Sequence, residues 1–439
     1  MRSRSNLFGL AIGLALADSS VVTLALPEIL RRFDVSLTTV AWVLTSYNLV
    51  LALAAVPAAY VARRRPREAF VAGALLFAAA SLGCALAPSF GLLVAARCVQ
   101  AVGGALVVTA ALALLVETTG SEAKAARVWV GAGVLGAALG PAAGGILTEV
   151  FGWRSIFLVQ VPLALLPLAA VRRVVARPLP APAGRPRLGA NAALLLLSGG
   201  LVAALFLLVL LLVNGWGMSP AAAGVVVTVL PVAAIAVQRL IPASLGAGMQ
   251  TATGIVLVSG GLAGLALLPH AGWGWTIAPQ LLVGAGLGLA LAALTERAVA
   301  GRSDQVVHGG WTLAARHAGV VRGLLLLAPV FTAALDRNER DAERAGTAVV
   351  LDSTIPPLDK LGLARDVLDQ ADGAEGELPD VAAAFADRPD TQEYRSLESE
   401  LQDQLDRAVT DAFSGPFLLA SLLALAALVP LAPTRGAPL

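Results

Sequence analysis

Charged side chains are scarce in this chain: 14% of its 439 residues are Asp, Glu, Lys or Arg, against 57% hydrophobic. That much apolar surface has no place in a water-soluble domain, so the soluble globular classes are excluded. Cysteine is nearly absent as well. Cys84 and Cys98 are the only two, and they lie in different hydrophobic runs at different depths, which excludes a disulfide framework and leaves packing as their role. Three histidines in the whole chain are too few and too scattered to build a metal site with those cysteines. There is no Gly-Lys-Ser/Thr phosphate loop, which argues against ATP hydrolysis, and no basic patch suited to nucleic acid. No catalytic residue, metal or cofactor is expected, and the chain does not read as an enzyme.

What fills the sequence instead is long apolar runs. About 20 such residues cross a bilayer as a helix, and runs of that kind lie near 6–26, 39–62, 69–87, 90–116, 128–149, 154–172, 191–213, 220–241, 250–268, 275–297, 311–334 and 413–432. Twelve spans make an all-α polytopic membrane protein. Basic residues collect after the even-numbered spans: Arg63, Arg64, Arg65 and Arg67, then Lys124 and Arg127, then Arg172, Arg173, Arg177, Arg185 and Arg187. The excess of positive charge on cytoplasmic loops places these connections, and both termini, in the cytoplasm. Arg31 and Arg32, in the first outer loop, do not follow that pattern. Arg2 and Arg4 before an apolar run suggest a signal peptide, but the length of the run, Asp18 inside it and the eleven spans that follow argue against cleavage.

Residues 335–412 break the apolar pattern. They carry 20 acidic and 8 basic side chains, a net of −12, while the rest of the chain carries the +14 that brings the total to +2. A connection of this length between spans 11 and 12 is expected to be a small extracytoplasmic helical domain rather than a loop. Tyr394, Leu397, Leu401, Leu405 and Val409 recur at helical spacing, which predicts one amphipathic helix from about 391 into the last span. Leu351, Ile355, Leu358, Leu361, Leu363, Val367 and Leu368 are the apolar surface available to it, with Pro356-Pro357 opening a second helix and 373–379 forming a loop. The acidic residues either keep this domain soluble or serve substrate handling or partner docking.

The most constrained run is 131–162. Gly136, Gly140 and Gly144 share one helix face at four-residue spacing, which lets a second backbone approach closely, and Pro141 removes an internal hydrogen bond. Together with Gly145 and with Trp153-Arg154-x-Ile156-Phe157-x-x-Gln160-x-Pro162, this run resembles the fifth-helix antiporter motif and following segment of drug:proton antiporters of the major facilitator superfamily. Leu16 to Val22 leading to Ala25-Leu26-Pro27 looks like the family's first-span motif. Trp42 to Tyr47 and Gly217-x-Ser219-Pro220-x-x-Ala223-Gly224 resemble segments of the QacA/EmrB-type branch. That branch commonly has fourteen spans; here the extra pair is missing and twelve is the better count. The resemblance implies the major facilitator fold: an N-terminal six-helix half (1–172), a cytoplasmic linker (173–190), spans 7–11 (191–334), the inserted domain (335–412), and span 12 with a cytoplasmic tail (413–439).

Asp18 lies about twelve residues into the first span, near the bilayer midplane, where an ionised acid costs a few kcal/mol or more unless paired or wet. It is the candidate proton carrier, or else a carboxyl hydrogen-bonded in a fixed network. Arg97-x-x-Gln100-x-x-Gly103-Gly104-Ala105 resembles the family's fourth-span motif, with Ala101 where glycine is usual; the resemblance implicates Arg97 in proton transfer, and a static ion pair is the alternative. Gln100, Asn48 and Arg322 are the candidates to line the substrate cavity. Arg316-x-x-Gly319-x-x-x-Gly323 resembles the family's span 11. Arg316 is expected to snorkel, His317 to be packed or hydrogen-bonded with titration in the physiological range as the alternative, and Glu296 to cap its helix or pair with Arg297.

Between spans two and three the family has an aspartate before its basic residues; here Ala62 stands there, ahead of Arg63 and Arg67. That acid helps latch the cytoplasmic side in the family. This chain therefore latches differently, rests in a biased conformation, or has lost robust cycling. The expected function is proton-coupled export of amphiphilic or hydrophobic small molecules across the cytoplasmic membrane by a monomer. Its partners are then the substrate, protons and membrane lipids. The alternatives are export of an envelope lipid or dedicated metabolite, and a degenerate scaffold whose 335–412 domain docks an envelope protein.

Overall fold

The computed structural model describes residues 2–172, 184–241, 245–299, 305–353, 355–356, 359–366, 381–386, 388–389 and 391–431, and none of them is in a β-strand. The first half is α1 (Arg2–Thr23), two short helices α2 (Leu26–Phe33) and α3 (Leu37–Val40), α4 (Trp42–Arg64), α5 (Pro66–Leu86), α6 (Phe90–Thr119), α7 (Glu122–Phe151), and a sixth span split into α8 (Ser155–Leu165) and α9 (Leu168–Val171). The second half is α10 (Leu188–Leu210) with a π-helical turn (Leu211–Gly215), then α11 (Pro220–Val227) and α12 (Val229–Leu240) as one span. It continues with α13 (Ala247–Ala266), α14 (Trp273–Val299), α15 (Gln305–Asp352), α16 (Val381–Phe385) and α17 (Gln392–Leu425), closed by a 3-10 turn (Ala426–Leu431). Among the described residues eleven helices are long and apolar enough to cross a membrane, and the shorter apolar Ser155–Val171 stands in the place of the sixth span.

Helix is the only economical choice for these runs, because it satisfies every backbone N–H and C=O internally where no water is present. The boundaries follow local chemistry. Ser89 and Ser121 accept hydrogen bonds from Leu92 N and Lys124 N at the starts of α6 and α7, and Gly120, at φ +63°, takes the left-handed conformation that ends α6. Apolar side chains point both ways: Phe8, Phe70 and Phe157 are buried, while Leu53, Leu139 and Val150 stand exposed on the bundle surface, as a lipid solvent permits.

Within the halves α1 packs on α7, α5 on α6, α10 on α15 and α13 on α14. The halves meet along two seams, α4 against α15 and α7 against α11.

The last two long helices do not stop at the ends of their spans. α15 continues unbroken to Asp352, and α17 runs from Gln392 through the final span. Between them Val350, Ile355, Leu363, Val381, Ala384, Phe385, Tyr394, Leu397 and Leu401 form a separate apolar cluster. The Tyr394 hydroxyl donates to Asp359 Oδ2 at 2.7 Å, and Pro356 O accepts from the amides of Asp359 and Lys360 at the head of a helical stretch over 359–366. Two of the apolar residues expected here turn outward instead: Leu351 and Leu361 are exposed. Each residue advances a helix by about 100°, so burying Val350 and Leu363 carries those neighbours off the face. Pro357, Leu358, Val367, Leu368, the loop over 373–379, linker residues 173–183 and the tail 432–439 lie outside the described residues.

Candidate functional site

Asp18 sits in α1 with no solvent exposure, and Arg97 of α6 is equally buried beside it, Nη1 to Oδ2 at 2.5 Å. The other carboxylate oxygen accepts from two amides, Gln160 Nε2 of α8 at 2.9 Å and Gln100 Nε2 at 3.3 Å. Gln100 is the hub of the cluster. Its oxygen accepts from Arg97 Nη1 at 2.6 Å, and its nitrogen also approaches Gln160 Oε1 at 2.7 Å and Ser81 Oγ at 2.8 Å. Arg97 Nε donates to Val43 O at 3.1 Å. Its guanidinium lies 4.2 Å from the centre of the Tyr47 ring, whose hydroxyl donates to Ala15 O at 2.9 Å. Five helices thus converge on one buried pair of opposite charges. Arg97 Nη2 is buried with no hydrogen-bond partner among the described residues, but the pair's other polar atoms are bonded, and losing either member leaves an uncompensated charge in a low-dielectric interior.

The opposite face of α1 is held by α7. A methyl group on Gly136 would overlap the carbonyl oxygen of Gly13, one on Gly140 the Ser20 hydroxyl, and one on Gly144 the carbonyl of Val21. The three glycines therefore exist for α1, the helix that carries Asp18. Gly145 points elsewhere, against the Pro220 carbonyl of α11, and Gly224 of α11 returns the contact against Pro141 O. One helix thus touches both the helix that carries Asp18 and the opposite half. On the other seam Gly310 of α15 packs on Ala59 and Ala55 of α4, leaving no room for a side chain.

A model of the Major Facilitator Superfamily matches residues 8–303. The chain belongs to this superfamily of membrane transporters. Among curated proteins, Multidrug resistance protein Stp of Mycobacterium tuberculosis is 36% identical over 164 residues, 36% of this chain and 30% of that protein. Methylenomycin A resistance protein of Streptomyces coelicolor is 35% identical over 173 residues, 38% of this chain and 36% of its own length. The aligned region thus spans about a third of each relative. A crystal structure of a bacterial homolog to the human lysosomal transporter Spinster, in an inward-facing and unoccupied conformation, superposes with a TM-score of 0.64 at 16% identity, covering 98% of this chain and 97% of that one. A D-xylose-proton symporter structure superposes with a TM-score of 0.59 at 14% identity over 73% of this chain and 88% of its own. At such identities these two report the shared fold.

In this superfamily member the structure brings Asp18, Arg97 and Gln100 together and adds Gln160 and Ser81, which sequence reasoning did not place at the site. Their signal was faint: an amide or hydroxyl alone in an apolar span. Asn48 is fully buried at the α4–α15 seam. Its Nδ2 donates to Leu44 O at 2.8 Å and approaches Ser19 Oγ at 3.2 Å, so its Oδ1 accepts from His317 Nδ1 at 2.7 Å. His317, read from sequence as packed or hydrogen-bonded, makes a hydrogen bond across the two halves. Arg322 corrects the sequence reading. It is exposed on α15, on the surface that also bears Trp311, Leu326 and Val330, because the helical phase that turns His317 inward turns Arg322 out. At the end of α4, Ala62 is buried, Arg63 lies 6.0 Å from the centre of the Tyr60 ring, and Arg67 is exposed. In the connection between the first two spans Glu28 accepts from the Trp153 amide at 3.0 Å. Burial pushes this carboxyl above its ordinary value, against the opposing pull of that hydrogen bond and of Arg31 and Arg154.

Proposed function

We propose that this protein is a proton-coupled exporter of amphiphilic or hydrophobic small molecules, working by alternating access in the cytoplasmic membrane with both termini in the cytoplasm. The observation that carries the reading is the buried Asp18–Arg97 pair on a helix clasped by the glycine face of α7. With Asp18 ionised, α1 and α6 are locked by the ion pair. A proton on Asp18 cancels the charge that holds Arg97, which keeps Val43 O, Gln100 and the Tyr47 ring as partners. α1 is then free to move against α6, and α7 carries the displacement to α11 across the seam. Proton uptake on one side and release on the other couple the rocking of the halves to the gradient. The relatives' names, a multidrug resistance protein and a methylenomycin A resistance protein, support export as the direction.

Ala62 rather than an aspartate stands before Arg63, and on this reading the packing of Gly310 on Ala55 and Ala59 takes the place of a charged latch, closing α4 on α15 at backbone level. The substrate class follows from the apolar character of the spans: shape and burial select more than polar anchors do. The separate apolar cluster of the 335–412 domain supports a second reading, in which that domain hands on an envelope lipid or a dedicated metabolite or docks an envelope protein.

Energised efflux of ethidium and of a neutral lipophilic dye from cells tests the proposal, with the intact protein, Asp18→Asn and a proton uncoupler compared at equal membrane abundance. The expected result is lower dye accumulation with intact protein, abolished by both the substitution and the uncoupler. Efflux that survives Asp18→Asn removes Asp18 as the carrier. Absence of any dye movement removes broad export and leaves the lipid, metabolite or docking reading.

A further inference from the structure

A cleft of about 610 Å³ opens where α17 meets the bundle, and none of its residues belongs to the Asp18 cluster. Its size is within the range of small-molecule sites. Four parts of the chain wall it. Arg31 comes from α2 of the first half; Asn214 comes from the π-helical turn and Trp216 from the residue after it; Trp273 opens α14; Gln402 and Asp406 come from α17.

The walls are built, not incidental. The π-helical turn widens the end of α10, and the amides of Trp216 and Met218 bond back to Leu211 O at 2.8 Å and Leu212 O at 2.9 Å. Gly217, at φ +60°, then reverses the chain. Such turns inside α-helices recur at functional sites. α17 packs directly on this turn, with Val409 against Gly215, where an added methyl group would meet it at 3.0 Å. The Trp216 indole N–H donates to Thr410 Oγ1 at 3.2 Å, and that hydroxyl donates to the Asp406 backbone carbonyl at 2.7 Å. One indole is thereby fixed on the helix that presents the carboxylate.

The chemistry of the lining favours a cation. Indole faces attract organic cations, and Trp273 is half exposed at the mouth. One oxygen of Asp406 accepts from Gln402 at 3.0 Å, leaving the other for a ligand. Asp406 belongs to a stretch of sequence, 335–412, with a net charge of −12, which favours cations over anions as its ligands. Arg31 on the far wall orients an incoming cation towards Asp406.

We propose that this cleft binds an aromatic organic cation, its ring system against Trp216 and Trp273 and its charged nitrogen towards Asp406. Its use as an exit station for transported molecules rests on the export reading; the binding itself does not. Because Arg31 belongs to the first half and the other walls to the second, rocking of the halves changes the width of the cleft and so times release.

The test is titration of ethidium into the purified full-length protein in lipid nanodiscs at low ionic strength, read by fluorescence anisotropy and by quenching of tryptophan emission. Saturable binding is expected, weakened about tenfold by Asp406→Asn and by Trp273→Ala and kept within about threefold by Trp273→Phe. Asp403→Asn, the same charge change one turn earlier on α17 and outside the cleft, is expected to leave affinity within about twofold, and monodispersity on size exclusion shows that each variant is folded. Unchanged affinity in folded Asp406→Asn and Trp273→Ala overturns the proposal, as does binding of an aromatic sulfonate that depends on Arg31 and not on Asp406. Dye efflux with no effect of Asp406→Asn on binding sinks the cleft and leaves export standing. Binding at the cleft without efflux does the reverse.

Discussion

At Asp18 two carboxylate oxygens are divided between one guanidinium and two amides, so the site holds a charge in the membrane only as a set. Asp18→Asn leaves Arg97 buried without a counter-charge, and a loss of about 3–5 kcal/mol of stability is expected alongside the loss of transport. The double variant Asp18→Asn/Arg97→Gln separates the two effects: thermal unfolding in detergent is expected to recover most of the stability, while efflux stays absent. Gln160→Leu removes one donor to Asp18 and the acceptor facing Gln100, and about 1–3 kcal/mol is expected to go with them. Glu28 gives a pH dependence outside the spans. Its carboxyl is raised in the folded protein, so the fold binds that proton more tightly than the unfolded chain does. The stabilisation is fully present below the unfolded value and is lost as pH rises through the folded one. Glu28→Gln keeps an acceptor for the Trp153 amide and is expected to flatten that part of the stability–pH curve, measured as melting temperature against pH.

At the scale of the element, α7 decides whether α1 sits where Asp18 can reach Arg97. Gly144→Val drives a side chain into the Val21 backbone, and overpacking of this kind costs about 1–3 kcal/mol or shifts the helices apart. Gly131 on the same helix has open space beside it. Gly131→Ala is therefore expected to keep wild-type efflux and melting temperature, while Gly144→Val loses both. The α4–α15 seam has its own polar joint in Asn48 and His317. Asn48→Ala and His317→Ala are each expected to lower the melting temperature, with the double variant costing about 1 kcal/mol less than the sum of the two, the signature of one shared hydrogen bond. Additive losses would mean that the 2.7 Å contact contributes nothing.

The whole molecule is a transporter fold with a second, acidic body grown from the ends of two of its spans. Continuous α15 and α17 tie that body to spans 11 and 12, and the Phe331 and Phe413 rings meet with centroids 4.4 Å apart, tilted by 43°, where the two helices run together. Ser414 Oγ donates to Ala266 O at 2.7 Å and fixes α17 on α13 as well. Replacing residues 340–408 by a short linker is expected to leave Asp18-dependent efflux and to abolish ethidium binding at the cleft. Loss of efflux in a protein that still reaches the membrane would assign the domain to the transport cycle. Cation binding is also expected to weaken as salt rises from about 0.01 M to about 0.15 M, where the screening length falls from about 30 Å to about 8 Å.

Hydrophobic run lengths, the scarcity of charge and the four-residue glycine spacing are local properties, so the membrane class, the twelve spans and the small-residue face of α7 were all legible in the sequence. Asp18 and Arg97 stood out for the same reason, since an ionisable residue deep in an apolar span is rare and costly. The continuation of the last amphipathic helix into span 12 was legible too, because its periodicity does not break. What faces what was not. Gln160 meets Asp18 across 142 residues and His317 meets Asn48 across 269, and no periodicity within one helix encodes its rotation against another. That rotation sent Arg322 outward and His317 inward on the same helix. It also brought Arg31, two indoles and Asp406 to one cleft. The sequence determined which segments enter the membrane and which residues are too costly to be there without partners; the tertiary structure alone decided the partners, because they are set by the packing of whole helices.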